Sequence, residues 1–385
     1  MIAVIADDIT GAAEIAGTGL RFGMRVALVT DAKDGIPEVD LLVYATDTRS
    51  MRELEAEDET RRVIRQLKNA GCQKFFKKTD SALRGYVMEE LEVLMKETGS
   101  PKALYLPENP SKGRIIRDGI YYISGEAIDR TFFAHDPEFP AATANVKERL
   151  QGITAVISAG DPLGESGIFL ANAESLEDIE ACLRKTDDST FLAGGSDLFT
   201  VYLRILGWKE KPLTAFEGFG SRDTIVVCGS TTQQSLDEFE YFKRRNVPME
   251  TMPKEVFELK QHPRTWFTAL NEIYELHHSI AISINHPIRK ESNFAHRLRN
   301  IMALAVSSLV DTRLPHELVM SGGSTAFAVL QALGWNRFQV TDEIAPGVVR
   351  MALEGSLEDY DIWEDYEVHI TLKPGSYPWG ENLFK

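Results

Sequence analysis

The stretch IAVIADDITGAAEIAGTGLRF, residues 2–22, sets a pattern that the rest of the chain repeats. Its leading apolar residues predict a buried strand, and Gly11–Phe22 predicts a helix whose small residues face a sheet. Two acids, Asp7 and Asp8, stand where the strand ends. Ligands of parallel α/β sheets bind beyond the carboxyl ends of the strands, so these acids are candidate site residues. The alternative is that Thr10 caps the helix and the acids merely favour its dipole.

Short apolar runs alternate with helical patterns along almost the whole chain. This alternation is typical of α/β layers and predicts two three-layer α/β domains with mostly parallel sheets. The segment 108–150 is rich in proline, glycine and charge, and it predicts an insertion with an antiparallel strand at 121–124. The predicted strands are 2–6, 26–31, 40–48, 74–78, 103–107, 154–158, 190–196, 224–230, 280–284, 317–325 with a helix after it, and 368–375. The other predicted helices are 11–22, 53–70, 86–98, 232–245 and 293–311.

A stretch with two glycines and no periodicity, residues 215–223, predicts a domain boundary. The alternation of strands and helices restarts directly after it. We therefore assign residues 1–218 to an N-terminal domain and residues 222–385 to a C-terminal domain.

Composition excludes several classes of partner. The formal net charge of −16 argues against nucleic acid or an anionic membrane, since either requires a broad basic face. No apolar run approaches the roughly 20 residues that span a bilayer. Cys72, Cys182 and Cys228 lie far apart without metal spacing, which is typical of buried thiols in a reducing cytoplasm. The sequence thus predicts a cytoplasmic protein with small-molecule partners and leaves its oligomeric state open, a homo-oligomer included.

Two further strand ends in the first domain deliver charge of both signs. TDTRS carries Asp47 and Arg49, and KKTDSALRG at 77–85 follows the next strand. A solvated loop is one interpretation, because surface ion pairs are worth only ~0–1 kcal/mol each. Three successive strand ends favour a site instead: cations hold a carboxylate, whereas acids and hydroxyls bind sugar hydroxyls. The side chains that suit a small polyhydroxylated acid are Asp7, Asp8, Arg49, Lys78, Asp80, Ser81 and Arg84.

The second domain places glycine-rich turns between strands and helices. VVCGST carries Gly229 and Ser230, MSGGSTA carries the run Ser321–Thr325, and LKPG supplies Lys373 and Gly375. Glycines at a helix N-terminus let backbone amides approach a phosphate. Tight turns also need glycine for conformational reasons alone, but two such turns in one domain favour nucleotide binding.

Several common motifs are missing. The sequence contains no GxxxxGK[ST] loop, no protein-kinase motif set and no GxGxxG after a strand. The last absence weighs against a dinucleotide-dependent dehydrogenase. No metal-ligand spacing of cysteine or histidine is present, so metal ligands stay unassigned.

The combination of motifs resembles the four-carbon acid sugar kinases, from residue 3 to the C-terminus. The resemblance implies an ATP-dependent kinase, with Mg²⁺, that acts on an erythronate, threonate or 3-oxo-tetronate. It also implies sugar-acid binding by the first domain, nucleotide binding by the second and an active site in the interdomain cleft. The motifs are ADDITGA, KKTDSALRG, Gly113-Arg114 with Gly119, HDP at 135–137, SGGSTA, DEIAPG at 342–347 and the terminal LKPG and GENLF.

The resemblance suggests a role for each candidate residue. Asp8 or Asp80 would be the catalytic base or orient the attacking hydroxyl, and the sequence does not say which. The substrate-binding candidates are Asp7, Arg49, Lys78, Ser81, Arg84 and Arg114, and the ATP-binding candidates are Ser230, Gly322, Gly323, Ser324, Thr325, Lys373 and Gly375.

Three positions depart from the family pattern, and two alternatives follow. Ala82 and Tyr86 stand where the family has Thr and Asn, and Ser324 stands where it has an acid. These departures are the support for a non-catalytic or regulatory ligand-binding protein. The other alternative is a different sugar-acid enzyme, such as an isomerase or dehydrogenase.

Overall fold

The computed structural model contains two compact units. The first comprises Met1–Val26 and Ala32–Lys211, and the second comprises Ala27–Asp31 and Pro212–Lys385. Both units are α/β with mostly parallel strands, which confirms the predicted fold class. The sequence predicted two domains separated at one point of the chain. It did not predict that Ala27–Asp31 belongs to the second unit. The structure describes residues 1–33, 35–136, 138–212, 215–220, 222–229, 242, 247–286, 294–355 and 366–375.

In the described part of the first unit, seven strands form a fully parallel sheet. In spatial order, with labels numbered along the chain, the strands are β3 (Leu41–Ala45), β1 (Ile2–Ala6), β4 (Lys74–Lys78), β11 (Thr190–Gly194), β5 (Lys102–Leu106), β10 (Gly167–Ala171) and β9 (Ala155–Ile157).

The order β3-β1-β4 is a topological switch point. The chain builds to one side of β1, then crosses to the other side with β4. Because the three strands are parallel, their carboxyl ends meet at one edge of the sheet. Open α/β sheets bind ligands at this kind of position.

Helix α1 (Ile9–Arg21) begins two residues before the predicted position. Asp8, not Thr10, is the N-cap, because its Oδ1 accepts the Gly11 amide at 2.9 Å. The Thr10 hydroxyl donates to the same carboxylate at 2.5 Å. The alternative in which Thr10 caps the helix is therefore wrong. Asp8, a candidate catalytic acid, takes that place and also fixes the backbone at the start of α1.

The small residues of α1 face the sheet, as predicted. A Cβ on Gly19 would lie 2.3 Å from the Leu41 side chain, so the helix and β3 approach too closely for a larger residue. Helix α1 packs against α6 and helix α2 against α3. The other helices of the unit are α2 (Glu53–Asn69), α3 (Val87–Thr98), α4 (Val146–Arg149), α5 (Leu176–Leu183) and α6 (Ser196–Ile205).

The insertion predicted at 108–150 carries a small antiparallel sheet. Its strands are β6 (Arg114–Arg117), β7 (Ile120–Ile123) and β8 (Glu126–Ala127). The antiparallel strand expected at 121–124 is therefore confirmed, one residue earlier. Short 3-10 turns and α4 complete this segment.

The second unit combines a parallel half and an antiparallel half. The hairpin of β16 and β17 and its pairing with β2 were not predicted. The predicted helix at 232–245 lies outside the described residues, apart from residue 242. In spatial order the strands are β13 (Met249–Thr251), β14 (Ser279–Ser283), β12 (Thr224–Cys228), β15 (Glu317–Ser321), β18 (His369–Lys373), β17 (Val348–Leu353), β16 (Arg337–Ala345) and β2 (Val26–Val29); the helices are α7 (Lys254–Phe257), α8 (Arg264–His277), α9 (Phe294–Thr312) and α10 (Gly323–Leu333).

The structure also bears on membrane-spanning helices and on the three cysteines. No helix within the described ranges is both long and apolar enough to cross a membrane. Cys72, Cys182 and Cys228 are buried thiols, as the sequence predicted.

Gly194 is expected to be essential for the packing of β11 on β5. A Cβ there would lie 1.9 Å from the Leu106 carbonyl oxygen, a backbone atom that cannot move without shifting the strand. We expect Gly194→Ala to lower the free energy of unfolding by roughly 3 kcal/mol, the upper end of overpacking costs. Urea unfolding measures this loss.

The matched control is Gly99→Ala. Gly99 has φ of +75° and no heavy atom within 4 Å of its built Cβ, so only backbone strain of about 1–2 kcal/mol is expected. Equal losses in the two variants would contradict a steric role for Gly194.

Candidate active site

Arg49 lies at the centre of a charged cluster at the switch point. Its Nε and Nη2 donate to Asp7 Oδ2 at 3.0 and 2.8 Å, and Nη2 also donates to Asp8 Oδ1 at 3.1 Å. Its Nη1 lies 3.6 Å from Asp80 Oδ1. One guanidinium from the segment after β3 thus joins acids from the ends of β1 and β4. Asp47, which was predicted at the same edge, accepts the Ser50 hydroxyl at 3.1 Å within its own turn.

The electrostatic balance favours the charged forms of Arg49, Asp80 and Asp8. Burial by itself would lower the pKa of Arg49, but the nearby acids outweigh burial and raise this pKa well above its ordinary value. Burial would raise the pKa of Asp80, yet Arg84 and Arg49 hold it well below its usual range. The pKa of Asp8 is also lowered, since Arg49, the Thr10 hydroxyl and Lys78 together exceed the opposing effect of burial. Both candidate catalytic acids are therefore carboxylates at neutral pH.

Asp80 organises the loop that carries it. It accepts the Arg84 guanidinium at two points, Nε at 2.8 Å and Nη2 at 2.9 Å. It also accepts the amides of Ala82 at 3.1 Å and of Arg84 at 3.2 Å. Arg84 reaches Asp136 as well, at 3.3 Å, so the HDP motif contributes to the cluster. Most of the hydrogen-bonding capacity of Asp80 is therefore spent on its own loop.

Gly11 leaves room for the side chains of both Asp8 and Lys78. A Cβ on Gly11 would lie 2.6 Å from Asp8 Oδ1 and 3.2 Å from Lys78 Nζ. The ammonium and the carboxylate therefore flank the same point on the first turn of α1. Lys78 is buried, and burial lowers its pKa although Asp7, Asp8 and Asp80 oppose that effect.

Two glutamates that sequence reasoning missed are paired with the consecutive lysines. Successive residues of a strand point to opposite faces. Lys78 lies 3.4 Å from Glu14 of α1, whereas Lys77 contacts Glu90 of α3 on the other face. Glu14 also contacts Lys112 and accepts the hydroxyl of Ser196. The sequence does hold a clue, because Glu14 and Glu90 each lie three residues after an inward-facing position of their helix.

The insertion reaches the same loop. Arg114 Nη1 donates to the Ser81 hydroxyl, which brings together two predicted substrate-binding residues. Arg84 and Arg114 lie over the ring of Phe133, with guanidinium carbons 5.4 and 5.9 Å from its centroid. Cations over an aromatic face are favourable, so Phe133 is a further member that the sequence did not reveal.

The two departures near this loop have different surroundings. Ala82 is buried, whereas Tyr86 is partly exposed and donates from its hydroxyl to the Met51 carbonyl at 3.1 Å. The ring of Tyr86 meets Phe139 edge to face at 5.5 Å. Tyr86 therefore joins the segment after Arg49 to the insertion at the rim of the cluster.

In the second unit the glycine turns meet at the ends of three neighbouring parallel strands. The Gly229 amide donates to the Ser321 carbonyl at 3.0 Å, and the Gly322 amide donates to the Lys373 carbonyl at 3.1 Å. A Cβ on Gly229 would lie 2.3 Å from the Thr325 hydroxyl, so these turns are packed in direct contact. The structure thus brings together the predicted residues from β12, β15 and β18.

The start of α10 is open in a way that the start of α6 is not. Gly322 has φ of +99°, and no side chain among the described residues caps the helix that follows it. Helix α6 also follows a Gly-Gly turn, but there Asn109 Oδ1 accepts the Asp197 amide at 2.9 Å. Ser324 is exposed in the first turn of α10, Thr325 is buried, and Gly375 lies two residues beyond β18. Ser230 lies outside the described residues.

Within the ranges that the structure describes, no three carboxylate, imidazole or thiol groups are arranged to hold a metal ion. The acids around Arg49 are paired with cations instead.

Comparison with known proteins assigns this chain to a family. The model of a sugar-binding N-terminal domain matches residues 2–200, and that of a nucleotide-binding C-terminal domain matches residues 225–377. This chain belongs to the four-carbon acid sugar kinase family. The resemblance that the sequence motifs suggested is confirmed.

Individual relatives of the family agree with this assignment. The 3-oxo-tetronate kinase of Haemophilus influenzae is 23% identical over 392 residues, covering 90% of this chain and 92% of that protein. The D-threonate kinase of Bordetella bronchiseptica is 24% identical over 370 residues, covering 92% and 90%. A crystal structure of a Haemophilus influenzae protein has a TM-score of 0.70 at 20% identity, covering 99% and 98% of the two chains, which shows a shared fold.

Gly11→Ala is expected to weaken binding of a four-carbon sugar acid to this family member. The added methyl group would lie 2.6 Å from Asp8 Oδ1 and displace this carboxylate. Losing a charge-assisted hydrogen bond from Asp8 to the ligand costs ~1.5–3 kcal/mol, or about 10- to 150-fold in Kd. Calorimetric titration with a sugar acid measures the change.

Gly19→Ala, on the same helix, is the control. Its methyl group meets only apolar atoms of Leu41 and Val26, so it is expected to lower stability and leave Kd unchanged. Equal affinity in the Gly11 variant and the unmodified protein would show that the position of Asp8 beside Gly11 does not affect binding.

Proposed function

We propose that this chain is an ATP-dependent kinase that phosphorylates a four-carbon sugar acid of the erythronate, threonate or 3-oxo-tetronate type. In this proposal residues 1–218 bind the sugar acid and residues 222–385 bind the nucleotide. The observation that carries it is the cluster around Arg49 at the switch point of a sugar-binding domain, in a chain that also matches a nucleotide-binding domain. The names of the relatives support the same reaction.

The charged cluster suits an anionic sugar in two respects. We propose that Arg84 and Arg114 hold the substrate carboxylate, since guanidinium groups have five N–H donors and Arg84 keeps some beyond its bonds to Asp80. Asp7, Asp8 and Ser81 supply acceptors and a donor for hydroxyl groups. Arg49 and Lys78 help to lower the pKa of Asp8, and Arg49 holds Asp7 and Asp8 in place through hydrogen bonds.

Asp8 is the better candidate for the group that accepts the hydroxyl proton. Its side chain is 13% exposed, compared with 9% for Asp80 and 5% for Asp7. Asp80 is committed to Arg84 and to two amides of its own loop. A weakly basic carboxylate suffices, because phosphoryl transfer depends mainly on positioning and charge stabilisation. We therefore assign orientation of the attacking hydroxyl to Asp8 and construction of the loop to Asp80.

Backbone amides are proposed to hold the nucleotide phosphates. The Gly322 amide is bonded to the Lys373 carbonyl, so the amides that α10 offers are those of its first turn, from Gly323 on, at the positive end of an 11-residue helix. Ser324, Lys373 and Gly375 belong to the same proposal. Thr325 contributes by packing against the Gly229 turn, and the role of Ser230 stays a prediction.

Mg²⁺ is proposed to arrive with ATP. Magnesium keeps several waters and is usually held by substrate phosphates plus one or two carboxylates, so it needs no site built only from protein. When bound, it would neutralise phosphate charge during transfer. The proposed setting is the cytoplasm, which the three buried thiols support.

A coupled ATPase assay across a panel of four-carbon acids tests the proposal. We expect ATP turnover that depends on one or a few of these acids, with the phosphorylated acid as product. Asp8→Asn is expected to lose at least about 100-fold in kcat while binding the acid, because an amide keeps the shape but cannot accept the proton.

Three results would contradict the kinase activity or the role of Asp8. Tight binding of an acid without turnover would favour a regulatory binding protein. Conversion of an acid without ATP would favour another sugar-acid enzyme. Near wild-type kcat in Asp8→Asn would remove Asp8 from the mechanism.

Gly323→Val tests the nucleotide site. Gly323 is the first residue of α10 and already has helical backbone, so valine strains it less than it would strain Gly322 with its φ of +99°. The two added methyl groups fill the space that a phosphate needs beside the helix amides. We expect ATP affinity to fall at least tenfold with sugar-acid affinity unchanged, measured by separate calorimetric titrations.

Gly323→Ala provides a graded control, with a smaller loss. Wild-type ATP affinity in Gly323→Val would show that phosphates do not bind at this turn. Loss of both ligands from a folded variant would contradict the division of labour between the domains.

A further inference from the structure

Arg149 contacts the Asp80 loop from a distant part of the sequence. It is the last residue of the short helix α4, in the insertion, and sequence reasoning did not single it out. Its Nη2 donates to the carbonyl oxygens of Ala82 at 3.2 Å and Leu83 at 3.5 Å. These two carbonyls belong to the turn that separates Asp80 from Arg84.

That turn has an unfavourable backbone. Leu83 has φ of +60°, the left-handed region that costs a residue with a Cβ about 1–2 kcal/mol. The Leu83 amide donates to the Asp80 carbonyl at 3.2 Å, which closes the turn from inside. Arg149 donates to the Ala82 and Leu83 carbonyls on the outside of the turn. It therefore stabilises a backbone conformation that is unfavourable for leucine.

Arg149 has few other contacts. Among the described residues it forms no ion pair, and its Nε and Nη1 are buried without a hydrogen-bond partner. Burying a charge without a partner is costly. Arg149 therefore adds little net stability through its charge. The groups that it binds are the carbonyls of Ala82 and Leu83 in the loop.

The insertion surrounds the whole loop with donors. Arg114 donates to the Ser81 hydroxyl, and the Tyr121 hydroxyl donates to the Ser81 carbonyl. Arg149 continues the series at the next two residues. Successive residues of the loop are therefore bonded to side chains from one separate segment.

We propose that Arg149 is a positioning residue of the sugar-acid site, which locks the turn at Ala82 and Leu83 so that Asp80 and Arg84 keep their orientation toward the substrate. This inference rests on the proposed function for the identity of the ligand. Arg149 itself acts through the backbone of the loop and does not contact the sugar acid.

The experiment compares Arg149→Ala with the unmodified protein by hydrogen exchange and by kinetics. The amides of Ala82, Leu83 and Arg84 are protected by bonds to Asp80, and we expect their exchange to quicken about tenfold or more, the equivalent of one lost charged hydrogen bond. KM for the sugar acid is expected to rise by a similar factor, with KM for ATP unchanged. Added ethylguanidinium is expected to reverse both effects partly, because it replaces the missing donor.

Arg117→Ala is the matched control. Arg117 lies in the same insertion but pairs with Glu174 at the surface and lies over Tyr122. We expect neither the exchange of the loop nor KM to change in this variant.

Several results would overturn the inference. Unchanged loop exchange in Arg149→Ala would show that the turn is held by other contacts. Faster exchange across the whole first unit, without guanidinium rescue, would show a general structural role instead. The exchange measurement needs no substrate, so it tests Arg149 even if the sugar-acid panel shows no turnover and the proposed function fails.

Discussion

The contact of Arg49 with three carboxylates is the constraint on which the first unit depends. Asp7, Asp8 and Asp80 meet because parallel strands end at one edge of the sheet, and three buried acids would repel one another there. Arg49 suits this place because its planar fork reaches several oxygens and stays charged when buried. The pKa values of Asp8 and Asp80 are lowered in this cluster, and ionised carboxylates bind hydroxyl groups by accepting their hydrogen bonds.

The paired lysines extend this balance to both faces of the sheet. Lys77 and Lys78 are buried and point in opposite directions, and each contacts a glutamate from a different helix. Buried ion pairs contribute little net stability, because desolvation offsets the attraction. Their effect here is geometric: α1 and α3 are both tied to the end of β4, where Asp80 and its loop begin. The position of the loop is thus determined by charges from two layers.

Local chemistry was predictable from the sequence, and distant partners were not. The strand ends at Asp8, Arg49 and Asp80 could be found because an apolar run and the charge after it are adjacent in the chain. Glu14 and Arg149 escaped notice because their partners lie more than sixty residues away and only the fold joins them. The same holds for the antiparallel pairing of β16 with β2.

The two Gly-Gly turns show why a motif alone does not define a site. Both units place such a turn between a buried strand and a helix, Gly194-Gly195 in the first and Gly322-Gly323 in the second, and only the second was predicted to bind a phosphate. In the first unit Asn109 arrives from the loop after β5 and accepts the helix amide, so the turn serves packing. In the second unit no described side chain accepts a hydrogen bond from the first turn of α10. The amides of that turn are left for another acceptor. What separates a structural turn from an anion site is a third segment, and its presence depends on the topology that brings it there.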